Sequence, residues 1–484
     1  MDRSFVTNFL RASISASFGT FSSIFFHFAS VMMMARYVPK EDFGIYLLIL
    51  VIINCLTIFG GLGLDLTLVK FISDETKSRK SGMFITVVAV RTAVLLILAA
   101  GIYLFGYLLI ERLNPAIGDF MVYILVLFFL SSFRDLFYNL FQGLRLFKRY
   151  AWTQIFSALL RFGLILAALF FHRLSLHTLV LIETGTVLLT VLFQIICIPF
   201  STIDTFLPNG GTLRSLIRFG FPLYLNNILT FLYSRINVII IGAFLSPASV
   251  AFFEVANKIP EGFLRMFRAF IVVYFPNQSN LFSKGEKNNA QNLMNMSLFA
   301  FSFTFCFLTL LSFLFGKEIV HMAFSEAYTE VSIAFSLLML NFTVRAITNI
   351  MGYSIVSAGR PDVPVKVNTL SSLINIAGAL VMIPSFGYMG AVYSILVMDV
   401  VSHAAHCLYL FRVGIVPRIE YLKPVLILVP LIGLYLAAGN ETVLFKGLLT
   451  LAYVGLSLLF IKDIWKMKRI VVEYRKGRPG FAER

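Results

Sequence analysis

The feature that most constrains this chain is a series of long, nearly uninterrupted apolar stretches. The longest, Met83–Ile110, runs for 28 residues with a single charge. An α-helix needs about 20 apolar residues to cross ~30 Å of hydrocarbon. A membrane-spanning β-strand needs only about 10, in alternation with polar residues. The stretches therefore predict an all-α integral membrane protein.

Fourteen such stretches can be placed along the chain. They lie near residues 12–34, 43–63, 82–110, 118–142, 151–171, 178–198, 217–244, 250–275, 290–315, 331–357, 366–384, 388–411, 423–438 and 443–462. Apolar residues make up 59% of the 484 residues and charged residues only 13%, so little chain remains for a folded soluble domain. We predict fourteen transmembrane helices joined by short loops.

The distribution of charge predicts how these spans are oriented. The chain has a formal net charge of +16. The connections that share a side with both termini are strongly net positive, whereas those of the opposite side are slightly negative. Because cytoplasmic loops carry an excess of Lys and Arg, we expect both termini to be cytoplasmic in a multi-pass protein of the cell (cytoplasmic or inner) membrane. The positive charge is thus accounted for by topology, and we expect no nucleic-acid partner.

Sequence features of an enzyme are missing. The four cysteines stand singly in apolar stretches, without ligand spacing. No GxxxxGK[ST] phosphate loop occurs. The longest outer connection, near Gly316–Glu330, has room for one short helix only. We therefore expect a transporter with no catalytic residues, no cofactor and no metal site.

Two stretches of the chain resemble each other. Phe18-Gly19, followed by Tyr37-Val38-Pro39 and Phe43-Gly44-Ile45-Tyr46, matches Phe219-Gly220, followed by Leu245-Ser246-Pro247 and Val250-Ala251-Phe252-Phe253. An even number of spans separates the two copies, so they have the same orientation. Parallel repeats of this kind are related by an axis along the membrane normal. The repeat predicts two pseudo-symmetric six-helix bundles around a central cavity, over residues 1–200 and 201–412, with two C-terminal helices and a basic tail over 413–484.

The run Ala35-Arg36-Tyr37-Val38-Pro39-Lys40-Glu41-Asp42-Phe43-Gly44-Ile45-Tyr46, with Gly61-Leu62-Gly63 after it, resembles the N-terminal signature of a known family. It is similar to the polysaccharide transporter (Wzx-like) branch of the MOP flippase superfamily. Segments 219–223, 234–237, 324–328 and 383–391 agree with the same family. The resemblance implies alternating access and, as a substrate, an oligosaccharide linked to an isoprenoid diphosphate. It also allows a polysaccharide polymerase and export machinery as further partners, beside the phospholipid bilayer.

The eighth span carries a charged stripe. Glu254, Lys258, Glu261, Arg265 and Arg268 are spaced by 4, 3, 4 and 3 residues, which confines them to an arc of about 80° at 100° per residue. The stripe is consistent with a ladder of i,i+4 ion pairs and with the lining of a wet cavity, and the two interpretations are compatible. Pro260 and Gly262 predict a kink or hinge in this span.

Other spans carry single ionisable residues, each of which is expensive to place in hydrocarbon and is therefore a candidate functional residue. Arginines offer bidentate partners to diphosphate oxygens. Carboxylates without a basic partner on their own helix, such as Glu183 and Asp399, could carry a proton if transport is coupled to protons. On the twelfth span, His403 and His406 share a face with Asp399. The candidate substrate-binding residues are Arg91, Arg134, Arg161, Arg235, Lys258, Arg265, Arg268 and Arg345; the candidate ion-coupling residues are Glu183, Glu254, Glu261 and Asp399.

The spans contain more basic than acidic groups, which suits an anionic substrate. The predicted function is a flippase that moves isoprenoid-diphosphate-linked oligosaccharide, such as an O-antigen, capsule or exopolysaccharide repeat unit, from the inner to the outer leaflet. A lipid II flippase is the nearest alternative. A cation-coupled multidrug exporter and a non-transporting scaffold of a polysaccharide-synthesis complex are the others. The sequence leaves the glycan, the lipid chain length and the coupling ion open.

Overall fold

The computed structural model describes residues 3–74, 77–106, 115–199, 210–439 and 442–458. Within these ranges the protein is all-helical and contains no strand. The main helices are α1 (Arg3–Tyr37), α2 (Lys40–Gly61), α3 (Leu64–Asp74), α4 (Lys77–Gly101), α5 (Met121–Gly143), α6 (Phe147–Phe170), α7 (Leu176–Cys197), α8 (Gly210–Phe244), α9 (Pro247–Ser283), α10 (Lys287–Ala323), α11 (Ser332–Ser357), α12 (Asp362–Phe386), α13 (Tyr388–Val413), α14 (Lys423–Ala438) and α15 (Val443–Leu458). Short helical turns occupy Ile102–Gly106, Pro115–Gly118, Glu326–Val331 and Ile419–Leu422.

Eleven of the helical segments in the described residues are long and apolar enough to cross a membrane, and Val443–Ser457 is a shorter apolar helix. The chain is therefore a multi-pass membrane protein, as the sequence predicts. Helix α9 is long enough, at 37 residues, but it is not among these eleven segments, and it carries the charged stripe. The count of fourteen spans remains a prediction.

Helix α3 lies where the sequence indicates only a connection. Its Leu64, Leu68 and Ile72 recur at helical spacing and are buried. The break between α2 and α3 depends on two residues with positive φ, Leu62 at 48° and Gly63 at 69°. A left-handed residue after the last helical turn ends a helix, and the chain restarts in a new direction.

The chain divides into two compact units, Met1–Ala251 and Phe252–Arg484. In the first unit, α1 packs along α6, α5 and α6 pack on α7, and α8 packs on α2 and α3. The predicted boundary between residues 200 and 201 lies outside the described residues, as does the basic tail beyond residue 458. The predicted segments 1–200, 201–412 and 413–484 remain a prediction.

Two close backbone approaches hold α8 and the start of α9 against α2 and the α2–α3 break. A Cβ built on Gly44 would lie 1.8 Å from the carbonyl oxygen of Pro247, and one on Gly63 would lie 2.2 Å from that of Gly220. Any side chain at Gly44 or Gly63 would collide with backbone. These glycines belong to the segments that carry the internal repeat and the family resemblance, so the motif encodes packing.

In the second unit, α11 packs between α10 and α13, and α12 packs along α13. The helices α14 and α15 attach to the side of α10 through a buried apolar cluster. Its members are Cys306, Leu310, Leu314, Ile427, Leu428, Leu431, Leu449 and Tyr453. The Tyr453 hydroxyl also donates a 3.0 Å hydrogen bond to the carbonyl of Phe303. Thus the two C-terminal helices form part of this unit.

Candidate functional site

Four helices of the first unit bring together a polar cluster around Arg161 of α6. The Nη2 atom of Arg161 lies 3.2 Å from Oε2 of Glu183 on α7 and donates a hydrogen bond to the hydroxyl of Tyr46 on α2. The Tyr46 hydroxyl in turn donates to the same Glu183 oxygen at 2.9 Å. The Nη1 atom of Arg161 lies 3.2 Å from Nδ1 of His27 on α1. We call His27, Tyr46, Arg161 and Glu183 the Arg161 cluster.

The protonation of His27 follows from its contact. A guanidinium has no acceptor atom, so the Nδ1 atom of His27 must accept the hydrogen bond from Arg161. His27 is therefore neutral in this arrangement. With Tyr46 also neutral, the Arg161 cluster holds one positive and one negative charge. The side chains of Arg161 and Glu183 each keep 12% of their surface exposed, so the pair is within reach of solvent.

The second unit contains a comparable pair. The Nε and Nη2 atoms of Arg345 on α11 both lie 2.9 Å from Oδ2 of Asp399 on α13. The Asp399 side chain is only 4% exposed and that of Arg345 is 21% exposed. On the sequence, Asp399 and Glu183 have no basic partner on their own helices. The structure supplies both partners from neighbouring helices.

The histidines that share a face of α13 with Asp399 pack against α11 and the turn before α14. The single hydroxyl hydrogen of Thr348 goes to the carbonyl of Val344, so Thr348 accepts from Nδ1 of His403 at 3.0 Å. The Nε2 atom of His403 then accepts from the hydroxyl of Tyr421 at 3.2 Å. The Nδ1 atom of His406 donates to the Ser402 carbonyl at 2.8 Å. These contacts support hydrogen bonding between helical elements as the role of His403, whereas the hydrogen bond of His406 stays within α13.

Arg91 of α4 has a different environment. Its side chain is fully buried, with Nη1 donating to the Ser132 carbonyl and Nη2 contacting Oδ2 of Asp65, both at 2.9 Å. Asp65 lies in the first turn of α3, where the helix dipole favours a carboxylate. Since Arg91 joins α3, α4 and α5 and has no exposed surface, its contacts favour a structural role over the predicted substrate contact.

Arg134 of α5 pairs with its sequence neighbour Asp135 at 3.0 Å, and both side chains are partly exposed. Arg134 also interacts electrostatically with Glu183. This places a second arginine in the electrostatic neighbourhood of the Arg161 cluster. Arg235 of α8 is half-buried.

The charged stripe of α9 is partly an ion-pair ladder. The Nη2 atom of Arg265 contacts Oε1 of Glu261 at 2.8 Å, which confirms that i,i+4 pair. Glu254 is buried and Lys258 is half-buried. Arg268 has an exposed side chain without a hydrogen bond or ion pair in the described part of the chain. The helix α9 continues through Pro260 and Pro276, and the predicted kink remains a prediction.

Sequence analysis missed the residues that complete these contacts, chiefly His27, Tyr46, Asp65 and Tyr421. It also missed Lys446, which is buried on α15 and donates to Glu318 on α10. Tyr46 lies within the motif that carries the family resemblance, which is a signal that could have drawn attention to it. Within the described ranges, no group of three or more His, Cys, Asp or Glu side chains is arranged to hold a metal ion.

Comparison with known proteins identifies the family of this chain. Residues 9–282 match the family described as "Polysaccharide biosynthesis protein". The chain belongs to this family. A relative in Haloferax volcanii, the probable low-salt glycan biosynthesis flippase Agl15, is 22% identical over 419 residues, which cover 83% of each chain.

Solved structures of MOP-superfamily transporters share the fold. The lipid II flippase MurJ in an inward closed conformation aligns with a TM-score of 0.73 and 16% identity, covering 93% of this chain and 99% of that one. An inward-facing multidrug resistance MATE family transporter of the MOP superfamily aligns with a TM-score of 0.63 and 13% identity, covering 83% and 98%. These similarities show the fold, and the family match confirms the predicted kinship with a polysaccharide biosynthesis family.

Proposed function

We propose that this protein is a flippase that translocates an isoprenoid-diphosphate-linked oligosaccharide from the inner to the outer leaflet by alternating access. The observation that carries the proposal is the presence, in a chain of this family, of arginines inside apolar helices that stay partly exposed and paired with carboxylates of neighbouring helices. Placing such charges within the membrane costs free energy, so arginines at these positions indicate a functional role. Arginines bind phosphate groups through paired hydrogen bonds, and a diphosphate offers several such oxygens.

The substrate-binding residues in this proposal are Arg134, Arg161, Arg235, Lys258, Arg265, Arg268 and Arg345. Among them, Arg161 and Arg345 combine membrane depth with partial exposure. The sugar-diphosphate head crosses the membrane along these cations while the isoprenoid tail stays in the bilayer. The proposal includes fourteen spans in two six-helix bundles plus two appended helices. It also includes both termini in the cytoplasm and location in the cytoplasmic membrane.

The test of function is a flipping assay in lipid vesicles. Purified protein is reconstituted with a fluorescent isoprenoid-diphosphate-linked oligosaccharide, with lipid II, or with an organic cation, and the fraction of each that crosses the bilayer is measured. We expect the oligosaccharide lipid to cross. Transfer of lipid II alone would favour the function of the MurJ relative, and transfer of the organic cation alone that of the MATE relative. Transfer of none would favour a scaffold.

The charged stripe of α9 gives a matched pair of variants for the same assay. Arg268→Ala removes an exposed charge that has no ion-pair partner among the described residues, whereas Arg265→Ala removes the ion-pair partner of Glu261. We expect both variants to insert into the membrane and to flip less substrate, and only Arg265→Ala to melt at a lower temperature. Wild-type flipping by Arg268→Ala would exclude this residue from the substrate path.

Topology is tested by labelling single cysteines in intact cells. Ser246 and Ser325 lie in connections predicted to be outside, and Ser283 and Arg478 in segments predicted to be inside; Arg478 lies beyond the described residues. A membrane-impermeant maleimide should label the first two positions only. A reversed result at any of them would contradict the fourteen-span arrangement.

A further inference from the structure

In the Arg161 cluster both hydrogens of the Nη2 atom of Arg161 are engaged, whereas Nη1 has one contact. Nη1 contacts His27, and Nη2 contacts both Tyr46 and Glu183. The remaining nitrogen, Nε, is buried and has no hydrogen-bond partner. A phosphate oxygen can therefore bind Nη2 only by displacing Tyr46 or Glu183. The partner that an anion displaces is the one with the same charge, Glu183.

We propose that Glu183 is the resting counter-ion of Arg161, and that it takes up a proton when a substrate phosphate replaces it. This inference rests on the proposed function. Two anions beside one guanidinium leave an uncompensated negative charge in a site of low dielectric, which is strongly unfavourable. Protonation of Glu183 removes one negative charge, so the contacting phosphate takes the place of Glu183 as the anion beside Arg161.

The groups around Glu183 are consistent with such an exchange. Arg161 and Tyr46 contact its carboxylate directly, and Arg134 on α5 acts on it through space while paired with Asp135. His27 touches the opposite side of the guanidinium. Once Glu183 is protonated, the Tyr46 hydroxyl still accepts from Arg161. One hydrogen of Nη2 then becomes available to a phosphate oxygen, while His27 still contacts Nη1.

Linkage gives this exchange a direction. Because protonation of Glu183 promotes substrate binding, substrate binding must promote protonation by the same factor. Proton and substrate then bind together and cross together. Export driven by inward proton flow requires antiport, in which the proton and the substrate must exclude each other at the site. The Arg161 cluster therefore takes up a proton together with the substrate and is not an antiport site. The outward transfer of the substrate is then driven by the substrate's own gradient.

The experiment measures the affinity of purified full-length protein in lipid nanodiscs for a farnesyl-diphosphate-linked N-acetylglucosamine between pH 5 and 8. Both phosphates of this diester stay ionised over that range, so the probe itself takes up no proton. For the wild type we expect binding to tighten by up to about tenfold for each unit that the pH falls, the slope for uptake of one proton. For Glu183→Gln, which mimics the protonated state, we expect the tight binding at every pH.

Further variants separate this role from a structural one. Tyr46→Phe keeps both charges and removes the hydroxyl that stabilises ionised Glu183. It should bind between about twofold and tenfold more tightly at pH 7.5 and keep a pH slope. Arg161→Ala should lose binding at all pH values. Glu286→Gln, an exposed carboxylate at the start of α10, is the matched control and should behave as the wild type.

The outcomes distinguish the two proposals. Binding by the wild type without a pH slope, or with the slope retained in Glu183→Gln, overturns the exchange and leaves the flippase function in place. If neither the wild type nor Glu183→Gln binds the probe at any pH, the proposal of an anionic substrate is overturned, and the exchange with it. In vesicles, acidifying the side to which the substrate is delivered should slow transfer. Acceleration there would show antiport and overturn the direction argued above.

Discussion

Replacement of Arg91 by alanine is expected to destabilise the protein strongly. The variant removes a 2.9 Å ion pair to Asp65 and a 2.9 Å hydrogen bond to the Ser132 carbonyl, and it leaves an empty volume where a side chain with no exposure was packed. Breaking a buried ion pair by deleting one partner costs about 3–5 kcal/mol. Because the Asp65 side chain keeps 25% exposure, we expect a value near the lower end, about 3 kcal/mol.

Such a loss lowers the equilibrium constant for folding by about a hundredfold or more. The assay is unfolding in mixed micelles by titration with dodecyl sulfate, in a double-mutant cycle with Asp65→Asn. We expect the double variant to lose much less than the sum of the single variants, because neither charge is then stranded. Arg360→Ala, which removes one half of an exposed ion pair with Asp362, is the control and should change little. An unfolding midpoint of Arg91→Ala equal to that of the wild type would refute the structural role.

Three further variants test packing and pairing by the same unfolding measurement. Gly63→Ala should lower the free energy of unfolding by about 1–3 kcal/mol, because the φ of 69° and the nearby Gly220 carbonyl both oppose a Cβ. Gly262 has open space around it, so Gly262→Ala is the control and should not be destabilised. Tyr453→Phe should lose about 1 kcal/mol with the hydrogen bond to α10, and an unchanged value would show that α15 is held by apolar contact alone. Asp399→Asn should lower the free energy of unfolding by about 3 kcal/mol because it removes the carboxylate that pairs with Arg345. Addition of Arg345→Gln should restore part of this loss, and no restoration would argue against the pair.

The general architecture was predictable because it depends on local pattern. A stretch such as Gly82–Leu104 must cross hydrocarbon as a helix, since a single segment can satisfy its own backbone hydrogen bonds there in no other way. The stripe of α9 was predictable for the same reason, because helical periodicity alone places Glu261 and Arg265 on one face, and they do pair. Helix α3 was missed because it is short and lies outside the long apolar stretches.

The candidate charges were visible in the sequence, but their partners were not. Arg161, Glu183, Arg345 and Asp399 all stood out as ionisable groups in apolar helices, and Glu183 and Asp399 were interpreted there as carboxylates without a partner on their own helix. Tyr46, which bridges Arg161 and Glu183, is 137 residues from Glu183, and Arg345 is 54 residues from Asp399. Helical periodicity relates residues three or four apart, whereas these contacts depend on which helices pack together and at what rotation. The sequence alone determined that charges must lie within the membrane. Only the tertiary structure decided which of them neutralise each other, because that pairing is set by distances between helices that no local pattern records.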